Sequence, residues 1–182
     1  TKISDIKLLE FEERQAENFR KMLLSMVKDI RVIIIKFADR LHNMRTLEFL
    51  PEKKRRRIAL ETREVYAPLA HRMGLYSIKT EMEDLAMKYM EPDVYRDIAR
   101  KLAETKKERS RYINEFIRPL KDKIAKAQLE AEIYGRPKSI HSISNKMKKK
   151  GVDFEEVYDL FAIRIIIDSP PKKEKEDCWK VY

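Results

Sequence analysis

The chain has 182 residues, 43% apolar and 40% charged, and its 41 Lys+Arg against 31 Asp+Glu give a formal net charge of +10. That length suits one ordinary domain or two small ones, with enough apolar residues for a core beneath a heavily charged surface. Three glycines are too few for a turn-rich β-sandwich or barrel, the single Cys178 excludes an internal disulfide framework or a Cys-rich zinc site, and no apolar run approaches the roughly 20 residues that span a bilayer.

Helical spacing runs from about Leu8 to Met26, with apolar positions at Phe19, Met22, Leu23 and Met26. The run Val32-Ile33-Ile34-Ile35 is β-branched, but it continues through Lys36 to Leu47 in a pattern that reads better as a buried helix. Pro51 suits the first turn of the next helix, where its missing N–H costs nothing. That helix runs toward His71 with a kink near Pro68, and Gly74 ends it. Tyr76 to Tyr89 forms another helix, closed by Glu91-Pro92. A long charged helix follows from about Asp93 to Glu115, Arg118-Pro119 marks a break or kink, and a further helix covers roughly Leu120 to Leu129.

Beyond residue 130 the texture changes. Tyr134 to Lys138 reads as a turn, followed by a short helix to about Lys149 and a second turn at Gly151-Val152-Asp153. Tyr158 to Asp168 is the one convincing strand, near-continuously apolar and so expected at the centre of a sheet. Ser169-Pro170-Pro171 ends it, and Lys172 to Glu176 reads as a charged loop. One strand cannot stand alone, so its sheet partners are expected past residue 182. The N-terminus has no signal-peptide pattern, and the whole reads as a soluble, intracellular, helix-rich protein.

The positive surplus favours anionic partners without choosing among them. Runs such as Lys53, Lys54, Arg55, Arg56 and Arg57 are ordinary solvated helix faces. Two constellations are more specific. Asp39, Asn43 and Thr46 fall at i, i+4 and i+7 on one helical stripe, with Ile35, Phe37, Ala38 and Leu41 around them, and the stripe is expected to be partly buried. It either holds a divalent metal and a polar ligand or is a hydrogen-bonded helix contact in which Asp39 pairs with Arg40 or Arg45. His42 points about a third of a turn away from it.

In the second constellation Lys138, Ser142, Lys146 and Lys149 recur at helical spacing opposite Ile140, Ile143 and Met147. This cationic face either suits a polyphosphate or is merely soluble. Asp159 opens the expected strand, and Arg164 interrupts its apolar run. A buried Arg requires a partner or an anion, and the odd separation puts the two on opposite faces. An acidic residue beside a basic helix can hold Mg²⁺ and a nucleoside triphosphate.

In this order the constellations resemble the long RelA/SpoT homologues, the bifunctional (p)ppGpp synthetase/hydrolase family. The resemblance is carried by Ala38 through Leu47 (ADRLHNMRTL), Tyr66 through Gly74 (YAPLAHRMG), Gly135 through Lys138 (GRPK) and Tyr158 through Arg164 (YDLFAIR). It implies a mainly α chain with a truncated α+β part. Residues 1–90 would be the C-terminal part of an HD-type all-helical hydrolase domain, 91–130 a helical connector, and 131–182 the start of a nucleotidyltransferase-like synthetase domain with a mixed sheet.

The implied activities are Mn²⁺-dependent hydrolysis of (p)ppGpp to GDP or GTP and pyrophosphate, and Mg²⁺-dependent pyrophosphate transfer from ATP to the 3′-OH of GDP or GTP. By motif, Asp39 looks like the last Mn²⁺ ligand of the hydrolase, with Asn43 and Thr46 on the guanine nucleotide. Arg136 resembles the residue that stacks on adenine. Lys138, Ser142, Lys146 and Arg164 resemble phosphate donors, and Asp159 resembles the Mg²⁺ ligand. The family's earlier metal ligands would precede Thr1 and its second synthetase carboxylate would follow Tyr182, so neither activity is expected from these residues alone. Cytoplasmic location, no membrane and no nucleic-acid contact through this stretch are expected, with ribosome association left to C-terminal regions. Two alternatives are a catalytically inactive guanine-nucleotide-binding regulatory module and a basic nucleic-acid-binding helical protein.

Overall fold

A computed structural model of the chain describes residues 29–181. The helix expected over Leu8–Met26 lies outside the described residues. The elements are, in order, α1 (Ile30–Arg45), a 3₁₀ turn (Leu47–Phe49), α2 (Glu52–Glu61), a π turn (Thr62–Tyr66), α3 (Ala67–Arg72), α4 (Tyr76–Met90), α5 (Pro92–Glu104), α6 (Lys106–Lys126), β1 (Glu130–Pro137), α7 (Ile140–Lys150), a 3₁₀ turn (Phe154–Glu156), β2 (Phe161–Asp168) and α8 (Glu174–Val181). The boundary between two compact units falls between Tyr89 and Met90.

In the first unit Asp29 caps α1, its carboxylate accepting from the Arg31 N–H at 2.9 Å. Ile33 and Phe37 stand one turn apart on the buried face and pack with Ala67, Ala70 and Met82. Removing such side chains from water stabilises the fold by roughly 1.5–3 kcal/mol each for the larger ones. The expected kink near Pro68 has a specific form: the Ala67 N–H reaches back five residues to the Thr62 carbonyl, widening one turn into a π turn. A proline ring clashes with the carbonyl four residues before it, and the wider turn relieves that crowding. Gly74 closes α3 at φ +73°. Its N–H bonds the His71 carbonyl at 3.0 Å while the Leu75 N–H bonds Ala70 at 2.9 Å, a paired cap that needs a left-handed residue.

In the second unit the long charged helix is interrupted at Thr105, not at Pro119. Thr105 leaves helical geometry and its hydroxyl bonds the Lys101 carbonyl at 3.0 Å. α6 instead runs 21 residues with Pro119 exposed inside it. The proline takes the N–H donor away from the Glu115 carbonyl, and both residues are exposed, so water can replace that donor.

The sheet also differs from expectation. β2 has its partner before it in sequence: β1 pairs with it antiparallel, Glu130 opposite Asp168 through Pro137 opposite Phe161. The segment read as a turn is the end of that strand. Burial along β2 alternates from half-buried Phe161 to exposed Asp168, so it is a one-sided strand and not a central one. Ile113 and Ile117 of α6 lie against the half-buried face. Gly135 sits where a Cβ would come within 2.3 Å of Ile113 Cγ2, which explains a glycine in mid-strand. Ile98 of α5 and Ile143 of α7 are fully buried, with Phe154 and Val157 almost so. The loop expected over Lys172–Glu176 becomes helical from Glu174, where three acids occupy the first turn of α8.

Candidate functional site

The first constellation lies on the face of α1 opposite its core. Ile33, Phe37 and Met44 are fully buried, whereas Asp39, Asn43 and Thr46 are exposed among the described residues. The expectation of a partly buried stripe is therefore corrected. Phe37 and Leu41 point to the other side of the helix, and Ile35, one turn before Asp39, is itself 68% exposed. Neither arginine next to the stripe takes up Asp39. Arg40 turns away, donating to Glu61 at 3.0 Å with its guanidinium 4.0 Å from the centre of the Tyr66 ring. Arg45 donates to Glu81 at 2.6 Å.

Asp39 thus presents an open carboxylate, one hard oxygen donor for a divalent cation. Among the described residues no group of three His, Cys, Asp or Glu could hold a metal. Asn43 presents its amide one turn on. The Thr46 hydroxyl donates to the carbonyls of His42 at 3.1 Å and Asn43 at 3.3 Å, which leaves its lone pairs free to accept.

The second constellation converges. Lys138 follows β1, and its N–H extends the strand pairing to Leu160 at 2.9 Å. Ser139 then caps α7, accepting from the Ser142 N–H at 3.2 Å and donating to the Ser142 hydroxyl at 2.9 Å. The first turn is thereby fixed, and Lys146 is carried one turn past Ser142. Asp159 is not in the strand but in the segment just before it, behind the buried Phe154 and Val157. Its carboxylate accepts from both ammonium groups, Lys138 on Oδ2 and Lys146 on Oδ1. The Lys138 bond first, then that of Lys146, brings the Asp159 carboxyl down to about 2 from an ordinary 3.8, against a small opposing effect of burial. Asp159 is therefore ionised at any physiological pH.

Arg136 stands opposite Ala162, and Arg164 opposite Tyr134, so both belong to the outer face of the hairpin. Arg164 is exposed, contrary to the expectation of a buried arginine inside an apolar run; the alternation of β2 puts it on the side away from α6. Sequence reasoning missed Ser139 as the residue that orders this corner, although a serine between a strand end and an apolar-periodic run is an N-cap signal. It also missed Tyr134, Glu61 and Tyr66 as neighbours of the cationic groups; contacts so distant in sequence leave no local trace.

Comparison with known proteins bears on both constellations. The HD domain family matches residues 1–76, and the region found in RelA/SpoT proteins matches residues 135–182. The chain is similar to RelA/SpoT proteins along nearly its whole length. It is 47% identical over 171 residues to a GTP pyrophosphokinase of Myxococcus xanthus, covering 94% of this chain and 23% of the relative. A guanosine-3′,5′-bis(diphosphate) 3′-pyrophosphohydrolase of Aquifex aeolicus is 42% identical over 173 residues, covering 94% and 24%. The bifunctional (p)ppGpp synthase/hydrolase SpoT of Escherichia coli K12 is 41% identical over 181 residues, covering 100% and 25%. The chain thus spans about a quarter of the length of these relatives. Among the described residues no helix is long and apolar enough to cross a membrane.

Proposed function

We propose that the RelA/SpoT-family protein containing this chain both hydrolyses and synthesises (p)ppGpp, with residues 1–90 in the hydrolase domain, 91–130 as connector and 131–182 opening the synthetase domain. The observation that best supports the synthetic half is the ionised Asp159 held between Lys138 and Lys146 inside the RelA/SpoT-matched region. The hydrolytic half rests on the open Asp39 carboxylate in the HD-matched region.

In synthesis the 3′-oxygen of GDP or GTP attacks the β-phosphorus of ATP, the α–β anhydride bond breaks, and AMP leaves. Mg²⁺, when bound, neutralises charge on the polyphosphate. The residues fit that ion: Asp159 is a hard oxygen donor that stays ionised, as a magnesium ligand must. Lys138, Lys146 and the Ser142 hydroxyl hold phosphate oxygens in line. Arg164 adds a further donor from the hairpin face, and the planar Arg136 guanidinium stacks on the adenine.

In hydrolysis water replaces the 3′-oxygen on the attached pyrophosphate, giving GDP or GTP and pyrophosphate. Asp39 supplies one ligand to Mn²⁺, while Asn43 and Thr46 orient the guanine nucleotide. The proposed location is the cytoplasm. The experiment is a pair of substitutions in the full-length protein. Asp39→Ala is expected to abolish Mn²⁺-dependent (p)ppGpp hydrolysis and spare synthesis, and Asp159→Asn to do the reverse. Hydrolysis that survives Asp39→Ala rejects the metal role, and synthesis that survives Asp159→Asn rejects the second site.

A further inference from the structure

The two oxygens of Asp159 are engaged separately, and by different parts of the chain. Lys138 reaches Oδ2 from the end of β1, while Lys146 reaches Oδ1 from the second turn of α7. Among the described residues Asp159 is the one acidic partner of either lysine. The cluster holds two ammonium groups and one carboxylate, a local charge of +2 − 1 = +1. Both atoms that a metal ion would use are thus taken by cations of the protein itself.

We propose that Lys138 and Lys146 form a metal-excluding clamp, so that Asp159 accepts a divalent cation only together with a polyphosphate. The inference rests on the synthetase reading above and adds an order of binding to it. A bare divalent cation approaching the cluster must displace an ammonium while repelled by both, and that repulsion is strong because the groups share the same two oxygens. A nucleoside triphosphate reverses the balance. Its oxygens draw the ammonium groups off, and each lysine that leaves frees one oxygen of Asp159 for the cation. Cation and polyphosphate then promote each other's binding, and the coupling is reciprocal.

The geometry allows the exchange without moving the backbone. The Lys138 N–H is tied to Leu160 and the start of α7 is fixed by Ser139, so only the flexible lysine side chains have to swing.

The test is titration calorimetry of Mg²⁺ into the full-length protein carrying Asp39→Ala, which removes the other proposed metal ligand. Without nucleotide, Asp159-dependent Mg²⁺ binding is expected to be at least about tenfold weaker than with saturating α,β-methylene-ATP. Lys138→Met with Lys146→Met is expected to raise the nucleotide-free affinity by at least about tenfold, and adding Asp159→Asn to remove the gain. Conservative Lys138→Arg with Lys146→Arg keeps the charge and is expected to retain exclusion. Circular dichroism checks that each variant is folded, and single Lys146→Gln, which frees one oxygen at a half-exposed position, serves where the double variant is not.

Nucleotide-free Mg²⁺ affinity that is the same with and without the lysines overturns the proposal. So does parent binding at Asp159 that is as tight without the analogue as with it. An affinity gain in the lysine variant, together with a parent protein whose lysines are intact and that makes no (p)ppGpp, keeps the clamp and rejects the synthetase reading.

Discussion

Gly135→Ala tests the packing that positions the whole hairpin. The new Cβ would lie 2.3 Å from Ile113 Cγ2 and 3.2 Å from its Cδ1. Contacts under 3 Å force a shift, and inserting a carbon into a close helix–strand contact costs about 1–3 kcal/mol. Against this, alanine lowers the entropy of the unfolded chain, stabilising by about 0.4–1 kcal/mol where the backbone is unstrained, as it is here. The expected net loss is roughly 1–2 kcal/mol, or about 2–8 °C in the melting temperature of a chain of this size. Urea and thermal unfolding followed by far-ultraviolet circular dichroism would measure it. The decisive arm is a double-mutant cycle. Ile113→Ala removes both crowding carbons, so Gly135→Ala in that background should cost nothing or stabilise, with a coupling of about 1–2 kcal/mol. Additive losses would refute the account, because they would show that Gly135 is needed for something other than room beside Ile113.

The low pKa of Asp159 links stability to acid. A carboxyl lowered from 3.8 to about 2 contributes stability that is full above pH 3.8 and is lost as pH falls toward 2. With the side chain 43% exposed, screening limits this to under about 1 kcal/mol. Asp159→Asn should flatten the change in urea midpoint between pH 5 and pH 2.5, and an unchanged slope would count against the lysine pairs. Glu61→Ala leaves the 15%-exposed Arg40 side chain without its carboxylate and should destabilise the first unit by about 1–3 kcal/mol. Arg31→Ala, which removes Asp29's largely exposed partner, should cost far less than Glu61→Ala, and equal losses at the two sites would deny burial its role. Pro119→Ala restores an N–H inside α6 at an exposed position and should raise stability by about 1–3 kcal/mol in the same unfolding measurement.

The helices were legible because their signals are local. Pro51, Gly74 and Pro92 punctuate the chain where the structure begins or ends an element, and Ile33, Phe37 and Met44 repeat with helical spacing. The two sets of polar residues were legible for the same reason, since Asp39–Asn43–Thr46 and Lys138–Ser142–Lys146 each sit on one element or its cap. What failed depended on partners. Glu130-Ala131-Glu132-Ile133-Tyr134 alternates as a strand should, but Gly135 and Pro137 resemble a turn, and only pairing with β2 decides between them. Whether Arg164 is buried depends on which side of β2 receives α6. The break at Thr105 left no mark stronger than the proline that α6 runs through. Asp159 beside the basic helix was expected, but its direct pairing with both lysines, across 21 and 13 residues, was not.

The widened turn at Thr62–Tyr66 inserts, in effect, one extra residue into an otherwise regular helix, shifting everything after it by about 100° in phase. Tyr66 is thereby swung beneath the Arg40 guanidinium, while Ala67 and Ala70 are turned toward Phe37. A one-residue deletion is normally ruinous in a helix, because it rotates a core face into water. Here a deletion within 62–66 would keep the alanines inward, at the cost of bringing the Pro68 ring back against the carbonyl four residues before it. Length variation in this part of the chain therefore has one natural home, and it lies within five residues of the proline that created it.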